Sequence, residues 1–313
     1  MRFSITIDSS QKHPVIVLKD SLTNCEAEIY AFGALLNKFI VPVDGKKVNV
    51  IEGYSSVDDA VENITDGFKS AKLSPFTCRM NVGEYSFKEK KYKIEKHYIP
   101  PHAIHGIIFD AAYEILTTHA DDLQAGVGLR YNYRGTDNGY PFPYEILVNW
   151  KLEKDNKVCV KTTVFHHNNE AVFYADGWHP YFTLGTSVDV CNLQFDTNIQ
   201  MEFDETLLPT GKRLEDNRFE KEASMNGIFL DNCFELKKDD AKCVLSNDKL
   251  ELTIQPDVAT YPFLQIYTPP HRNSIAIENL SGAPDCFNNR LGLLELEPEK
   301  RYSFKTSYTL KIK

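Results

Sequence analysis

Hydrophobic and polar residues alternate with a period of two along several stretches of the chain. Residues 144–154 and 157–165 alternate on either side of Asp155-Asn156, and residues 243–246 and 250–254 repeat the pattern. Alternating runs with turn residues between them are typical of antiparallel strands joined as hairpins. The pattern therefore predicts two hairpins in the second half of the chain.

Further short runs predict strands elsewhere, and no stretch longer than about a dozen residues has the 3.6-residue period of a helix. These runs are residues 27–40, 41–50 with a turn at Asp44-Gly45, 85–94, 107–116, 128–133, 263–267, 274–278 and 302–312. The polar segment 55–70 is expected to form a loop with one helical turn. Many short strands predict an all-β sandwich or barrel. We expect one domain over residues 1–313, because no linker or internal repeat divides the chain.

Charge and composition exclude several classes of protein. The 35 lysines and arginines stand against 44 acidic residues, a net charge of -9, which argues against a nucleic-acid partner. No apolar run approaches the roughly 20 residues that a membrane span needs, and the first residues lack the features of a signal peptide. The seven cysteines are scattered without a C-x-x-C pair. We therefore expect a reduced, cytoplasmic compartment and no membrane partner.

Familiar cofactor and metal motifs are absent from the sequence. It contains no G-x-G-x-x-G after a strand, no Walker A, no G-x-S-x-G and no H-E-x-x-H, so neither a nucleotide cofactor nor a zincin is indicated. His102 and His105 are three residues apart, but no third and fourth ligand cluster with them. We expect no metal and no organic cofactor.

Two ionisable residues stand out by their surroundings. His179 lies between Trp178 and Pro180, so its imidazole is expected to be held rigidly and able to exchange a proton near neutral pH. The alternative is a histidine satisfied within an aromatic core. Glu278 ends the apolar run 274–277, where desolvation would raise the pKa of a carboxyl group and suit a general base. The alternative is a rim residue bonded to its own loop.

Seven segments in chain order resemble the aldose 1-epimerase, or galactose mutarotase-like, family. They are Tyr30-Ala31-Phe32-Gly33-Ala34, Arg79-Met80 with Gly83 to Phe87, His105-Gly106, His179-Pro180-Tyr181-Phe182, Asp231-Asn232-Cys233-Phe234, Tyr261 to Thr268, and Glu278 with Pro284-Asp285 and Asn288. Cys78, Ile104 and Asn232 depart from the residues usual in that family. These departures leave the identity of the sugar open.

The resemblance implies a large antiparallel β-sandwich with a carbohydrate cleft, and an enzyme that interconverts the α and β anomers of a hexose or related sugar. It implies that Glu278 is the base and His179 the acid, with Glu278 ionised and His179 protonated at the start. Arg79, His105 and Asp231 are expected to bind the sugar. The reaction consists of proton transfers.

Two alternatives remain open at this point. A related enzyme could act on a phosphorylated or otherwise anionic sugar, which would require basic side chains in addition to Arg79. A non-catalytic carbohydrate-binding protein could use the same fold. The sequence does not decide whether Asp137, Asp257 or His102 also lines the cleft, nor whether the chain is a monomer or a homodimer.

Overall fold

The computed structural model describes residues 1–313, and its regular secondary structure is almost entirely antiparallel strands. The strands are β1 (Phe3–Asp8), β2 (Val15–Asp20), β3 (Cys25–Tyr30), β4 (Leu36–Val43), β5 (Lys46–Asn49), β6 (Ala71–Leu73), β7 (Arg79–Met80), β8 (Glu84–Phe87), β9 (Lys90–Lys93), β10 (Tyr98–Ile99), β11 (His102–Ile104), β12 (Glu114–Ala120), β13 (Gln124–Tyr133), β14 (Tyr144–Glu153), β15 (Lys157–Phe165), β16 (Val172–Tyr174), β17 (Gly177–His179), β18 (Tyr181–Phe182), β19 (Asn192–Phe195), β20 (Ile199–Phe203), β21 (Pro209–Glu215), β22 (Ala223–Ser224), β23 (Asp231–Glu235), β24 (Cys243–Ser246), β25 (Leu250–Pro256), β26 (Phe263–Tyr267), β27 (Ile275–Leu280), β28 (Leu294–Leu296) and β29 (Tyr302–Ile312).

Only two short α-helices interrupt the strands, α1 (Val57–Asn63) and α2 (Cys286–Asn289). Ser56 caps α1 by accepting a hydrogen bond from the backbone N–H of Asp59, a common way to satisfy the first free donors of a helix. The predicted helical turn in residues 55–70 is therefore present and extends to seven residues. Neither helix has the length and apolar character needed to cross a membrane.

Two large sheets form the layers of a sandwich. One has the strand order β12-β13-β14-β15-β29-β25-β24-β19-β22, and the other has the order β21-β20-β23-β26-β27-β17-β6, with β18 also pairing with β27. Trp150 of the first sheet packs on Trp178 of the second with ring centroids 5.3 Å apart, and Tyr308 packs on Phe182 in the same way. The prediction of an all-β antiparallel sandwich is confirmed.

All four predicted hairpins are confirmed, including β8 with β9 in the run 85–94, whereas the run 27–40 forms two strands, β3 and β4, on either side of Gly33. β14 pairs with β15 and β24 pairs with β25, while Asp44 and Gly45, both at positive φ, connect β4 to β5. The run 107–116 is not one strand, because β12 begins only at Glu114. Its apolar residues Ile107 and Phe109 are buried in a loop, so their hydrophobicity reflects burial and not strand geometry.

Strand β27 runs through the middle of the second sheet and is longer than the sequence predicted. All six of its residues are buried, and Glu278 therefore lies inside the strand instead of at its end. Asn279 faces the sandwich core, where its Oδ1 accepts a hydrogen bond from Thr306 at 2.9 Å. Because neighbouring residues of a strand point to opposite faces, Glu278 points out of the sandwich on the other face.

The pairing of β17 and β18 with β27 determines which residues face Glu278. Gly177 pairs with Leu280 and Tyr181 pairs with Ala276. His179 lies midway between these two pairs and therefore stands across from Glu278 on the outer face of the sheet.

Candidate active site

A cavity of about 250 Å³ opens on the outer face of the second sheet, away from the sandwich core. All five site residues named from the sequence line it: Arg79, His105, His179, Asp231 and Glu278. They come from segments as far apart as 79 and 278 in the chain, and strand pairing brings them together. Phe68 and Tyr181 add aromatic walls, which suit the apolar C–H faces of a sugar ring.

His179 and Glu278 form the centre of this cavity. His179 Nε2 lies 3.4 Å from Glu278 Oε1, and the two side chains are 6% and 1% exposed. The imidazole stacks on Tyr181 at 5.0 Å with an interplanar angle of 27°. The ring of His105 meets it edge-on at 4.8 Å. Packing on two sides therefore fixes the direction in which the His179 imidazole points.

Burial shifts the pKa values of this pair toward the neutral forms. Desolvation raises the pKa of Glu278 well above its ordinary value, with a further upward effect from Asp231 and an opposing one from Arg79. Desolvation lowers the pKa of His179 to about 4. Burial therefore favours the neutral carboxyl of Glu278 and the neutral imidazole of His179, contrary to the charged starting pair that the resemblance implied. The physical reason is the removal of both groups from water.

His105 is held beside the pair by an unusual stretch of backbone. It has a φ of 63°, and its backbone N–H donates to the carbonyl of Cys78 at 2.9 Å. A Cβ on Gly106, which follows at a φ of 77°, would lie 2.3 Å from the carbonyl oxygen of Ser74. Glycine is required there by positive φ and close approach together. Burial lowers the pKa of His105 well below its ordinary value, so its imidazole is neutral.

Arg79 is the one arginine that lines the cavity, and its guanidinium has no partner within the protein. Arg79 is the first residue of β7, and its carbonyl accepts a hydrogen bond from the N–H of Asp285 at 2.7 Å. Its side chain makes no salt bridge or hydrogen bond within the protein, although its charge lowers the pKa of both Glu278 and Asp231. The guanidinium donors are therefore free to bind a ligand.

Asp231 and Gln265 complete the polar lining of the cavity. Desolvation raises the pKa of Asp231, against the effects of Arg79 and Gln265. Gln265 Nε2 donates to Asp231 Oδ1 at 2.8 Å, and Gln265 is the direct cross-strand partner of Glu278. The sequence reasoning placed Gln265 within a motif but gave it no role. Its polarity inside the apolar strand β26 was the available signal.

Several buried polar atoms in the cavity have no partner in the protein. They are His105 Nδ1, His179 Nδ1, Gln265 Oε1 and Glu278 Oε2. Buried polar groups are nearly always hydrogen-bonded. These four atoms belong to residues that line one cavity.

The three residues that the sequence left open do not line the cavity. Asp137 is buried in a turn and accepts hydrogen bonds from the N–H groups of Glu95 and Gly139. Asp257 is exposed. His102 accepts from the N–H of Val82 through Nδ1 at 3.1 Å, so it does not act together with His105.

Ligand atoms of His105, His179 and Glu278 lie within 4.8 Å of one another. Two imidazoles and a carboxylate are a donor set that zinc accepts. The unpaired Arg79 guanidinium adds positive charge to the same space, which opposes a second cation. A polar organic ligand with hydroxyl groups matches both the donors and the acceptors of this cavity.

Comparison with known proteins identifies the family. The family model described as aldose 1-epimerase matches residues 14–309, and the chain belongs to this family. An aldose 1-epimerase from Streptococcus thermophilus is 24% identical over 188 residues, which cover 58% of this chain and 53% of that relative. The matched segment thus spans about half of the relative's length.

Solved structures show the same fold. A galactose 1-epimerase from Lactobacillus acidophilus superposes with a TM-score of 0.84 at 18% identity, covering 100% of this chain and 99% of that one. A galactose mutarotase-like protein from Clostridium acetobutylicum gives a TM-score of 0.85 at 16% identity, covering 99% and 98%. The sandwich is therefore galactose mutarotase-like.

Proposed function

We propose that this protein is an aldose 1-epimerase that interconverts the α and β anomers of an uncharged hexose or closely related sugar. The observation that carries the proposal is the His179–Glu278 pair, 3.4 Å apart in a buried cavity. The family membership agrees with it. The unpartnered polar atoms around the pair are the groups that a polyhydroxylated ligand would satisfy.

Opening the sugar ring requires one group that removes the C1 hydroxyl proton and one that protonates the ring oxygen. We assign the first role to Glu278 and the second to His179, and the roles reverse when the ring closes after rotation about C1–C2. The raised pKa of Glu278 makes its ionised form a strong base, and the lowered pKa of His179 makes its protonated form a strong acid. Arg79 supports this charged form, because its charge favours ionised Glu278.

The remaining polar residues are assigned to sugar binding. Arg79 presents a fork of donors and Asp231 presents carboxyl oxygens, so the two together can hold neighbouring hydroxyl groups. His105, neutral and beside His179, can bond the C1 hydroxyl or the ring oxygen.

The charges around the cavity support an uncharged sugar. Arg79 is the one lysine or arginine among the lining residues, and it faces the carboxyl groups of Asp231 and Glu278. Phosphate and sulfate groups are usually bound by clustered basic side chains. A phosphorylated sugar would meet two carboxyl groups with a single cation to offset them.

Polarimetry tests the proposal directly. Freshly dissolved α-glucose and α-galactose should relax to their equilibrium rotation faster with the protein than without it. Glu278→Gln and His179→Ala should each lower turnover by at least about a hundredfold, because each removes one proton-transfer group. Glu299→Gln, which changes a carboxylate 66% exposed at the surface, is the matched control and should keep full turnover.

Each contrary result points to a particular alternative. Turnover near the wild-type level in Glu278→Gln would show that the assigned base is wrong. Acceleration with glucose 6-phosphate but with neither free sugar would favour the phosphosugar enzyme. A thermal shift with sugars but no acceleration would favour a binding protein.

We also place the reaction in a reducing compartment, the cytoplasm. All seven cysteines are free and buried, which is typical of proteins kept in a reducing environment.

A further inference from the structure

A second buried pair of ionisable residues lies on the core side of the strand that carries His179. Lys72 of β6 is completely buried, and its Nζ donates to Asp176 Oδ1 at 2.5 Å and to the carbonyl of Gly177 at 3.0 Å. The same ammonium group lies 4.5 Å from the centre of the Trp178 ring. Lysine is rarely buried in this way, and nothing in the proposed chemistry uses it.

Asp176 is bound as completely as Lys72. Its side chain accepts hydrogen bonds from Tyr174 at 2.9 Å and from Tyr261 at 2.5 Å. Its backbone N–H donates to Ser281 Oγ at 2.7 Å, and its carbonyl accepts from the N–H of Ser281 at 2.8 Å. Ser281 directly follows β27. The side chains of the pair thus join β6, β16 and the segment before β26 to the start of β17, while the backbone of Asp176 joins the end of β27.

A buried ion pair is a poor source of stability, because the cost of desolvating two charges offsets their attraction. Its best-attested use is to fix one register among several. Pro180, next to His179, has no N–H to contribute to the sheet. On the β27 side the hydrogen bond from Ile277 N to the Pro180 carbonyl is long at 3.3 Å, whereas on the β6 side the carbonyl of His179 accepts from the N–H of Ser70 at 2.9 Å.

We infer that Lys72 and Asp176 are positioning residues that fix the start of β17 against β6, β16 and the segment leading into β26, and so hold His179 Nε2 across from Glu278 Oε1. Gly177 and Leu280 are paired next to this anchor, two residues from His179 and Glu278 respectively. Neither Lys72 nor Asp176 lines the cavity, so neither touches the sugar. The kinetic consequence rests on the proposed function, whereas the structural consequence does not.

The test is the double variant Lys72→Met/Asp176→Asn, which removes both charges while keeping similar side-chain volumes. A displaced acid–base pair should lower kcat at least about tenfold while KM changes less than about threefold, because geometry at the reacting atoms is lost and sugar binding is kept. A kcat within about twofold of wild type in the folded double variant would overturn the inference.

A gentler variant covers the case in which the double variant does not fold. Tyr261→Phe removes one hydrogen bond to Asp176 and should lower kcat by about threefold. Tyr85→Phe removes a tyrosine hydrogen bond of 2.8 Å, to the carbonyl of Gly139, and should leave kcat unchanged. Equal kcat values for these two variants would count against the positioning role.

A readout without turnover separates this inference from the proposed function. The imidazole ¹⁵N resonances of His179, assigned with His179→Ala, should shift in the double variant or in Tyr261→Phe, and stay in place in Tyr85→Phe. Unchanged His179 resonances would overturn the inference. Failure of the wild-type protein to act on any sugar would instead refute the proposed function, and the resonances would still decide the positioning role.

Discussion

Two buried pairs of ionisable residues lie on opposite faces of the sheet at β17, and they differ in how fully they are hydrogen-bonded. On the core side, Lys72 and Asp176 are 2.5 Å apart, and hydrogen bonds from Tyr174 and Tyr261 satisfy the carboxyl oxygens. On the cleft side, His179 and Glu278 are 3.4 Å apart. His179 Nδ1 and Glu278 Oε2 have no partner at all.

The difference is one of hydrogen bonding, and it matches the structural role inferred for Lys72 and Asp176 and the chemical role proposed for His179 and Glu278. A fully bonded network rigidifies its surroundings, whereas an unsatisfied one leaves a cost that a ligand can remove. Both pairs are buried, so burial alone does not identify a site. The two pairs differ in that neither Lys72 nor Asp176 has a buried polar atom without a partner, whereas His179 and Glu278 each have one.

The largest effect on stability should come from removing one of the two charges of the Lys72–Asp176 pair. Lys72→Met leaves Asp176 buried without its cation, and the free energy of unfolding should fall by about 3–5 kcal/mol. Urea denaturation followed by tryptophan fluorescence measures this, since Trp150 and Trp178 are the two tryptophans and both are buried.

Lys300→Met is the matched control for this variant, because Lys300 is exposed and forms no ion pair. Its stability should stay within about 0.5 kcal/mol of wild type. A similar result for Lys72→Met would mean that Asp176 is well solvated by its tyrosines without the lysine.

A smaller difference in stability is expected between phenylalanine variants of a tyrosine on the core face and one on the cleft face of the second sheet. Tyr174→Phe removes a hydrogen bond to the Asp176 carboxyl group and should lower the free energy of unfolding by about 1–2 kcal/mol. Tyr181→Phe, in the cleft wall, removes a hydroxyl that makes no hydrogen bond within the protein and should change it by less than about 0.5 kcal/mol. Equal losses in thermal or urea denaturation would contradict the contrast between the two faces.

The sequence predicted the strands that alternate clearly and the residues that belong to ordered motifs. β14 and β29 follow from period-two patterning, and His179 and Glu278 follow from the family resemblance. Glu278 was misplaced at a strand end because Asn279 looks like a loop residue. In the structure, Asn279 Oδ1 accepts a hydrogen bond from Thr306 of the opposite sheet, a contact between positions 27 residues apart.

The core pair could not be predicted in the same way. Lys72 and Asp176 are separated by 104 positions, and each looks like an ordinary charged residue in its own segment. The charge state of the site also escaped prediction, since the pKa values of His179 and Glu278 depend on burial by the whole cavity. Local sequence patterns predict strands and motifs, whereas the pairing and the pKa of a buried ionisable group depend on residues far away in the sequence.

Removing the charge of Glu278 should stabilise the protein, whereas removing the charge of Lys72 should destabilise it. Because the folded pKa of Glu278 is raised above its unfolded value, its contribution to stability is fully present below pH 4.5 and is lost as the pH rises toward the folded value. Glu278→Gln has no charge to desolvate. Its melting temperature should therefore exceed that of wild type by about 2 °C or more at pH 8, and the gain should shrink at pH 4.

Glu299→Gln, with its exposed carboxylate, should show no such pH-dependent gain in differential scanning fluorimetry. A Glu278→Gln variant that is less stable than wild type at pH 8 would mean that the carboxylate is a structural partner. The cleft pair and the core pair would then both stabilise the fold. A gain in stability with loss of turnover would instead show that Glu278 is kept for chemistry at a cost to the fold.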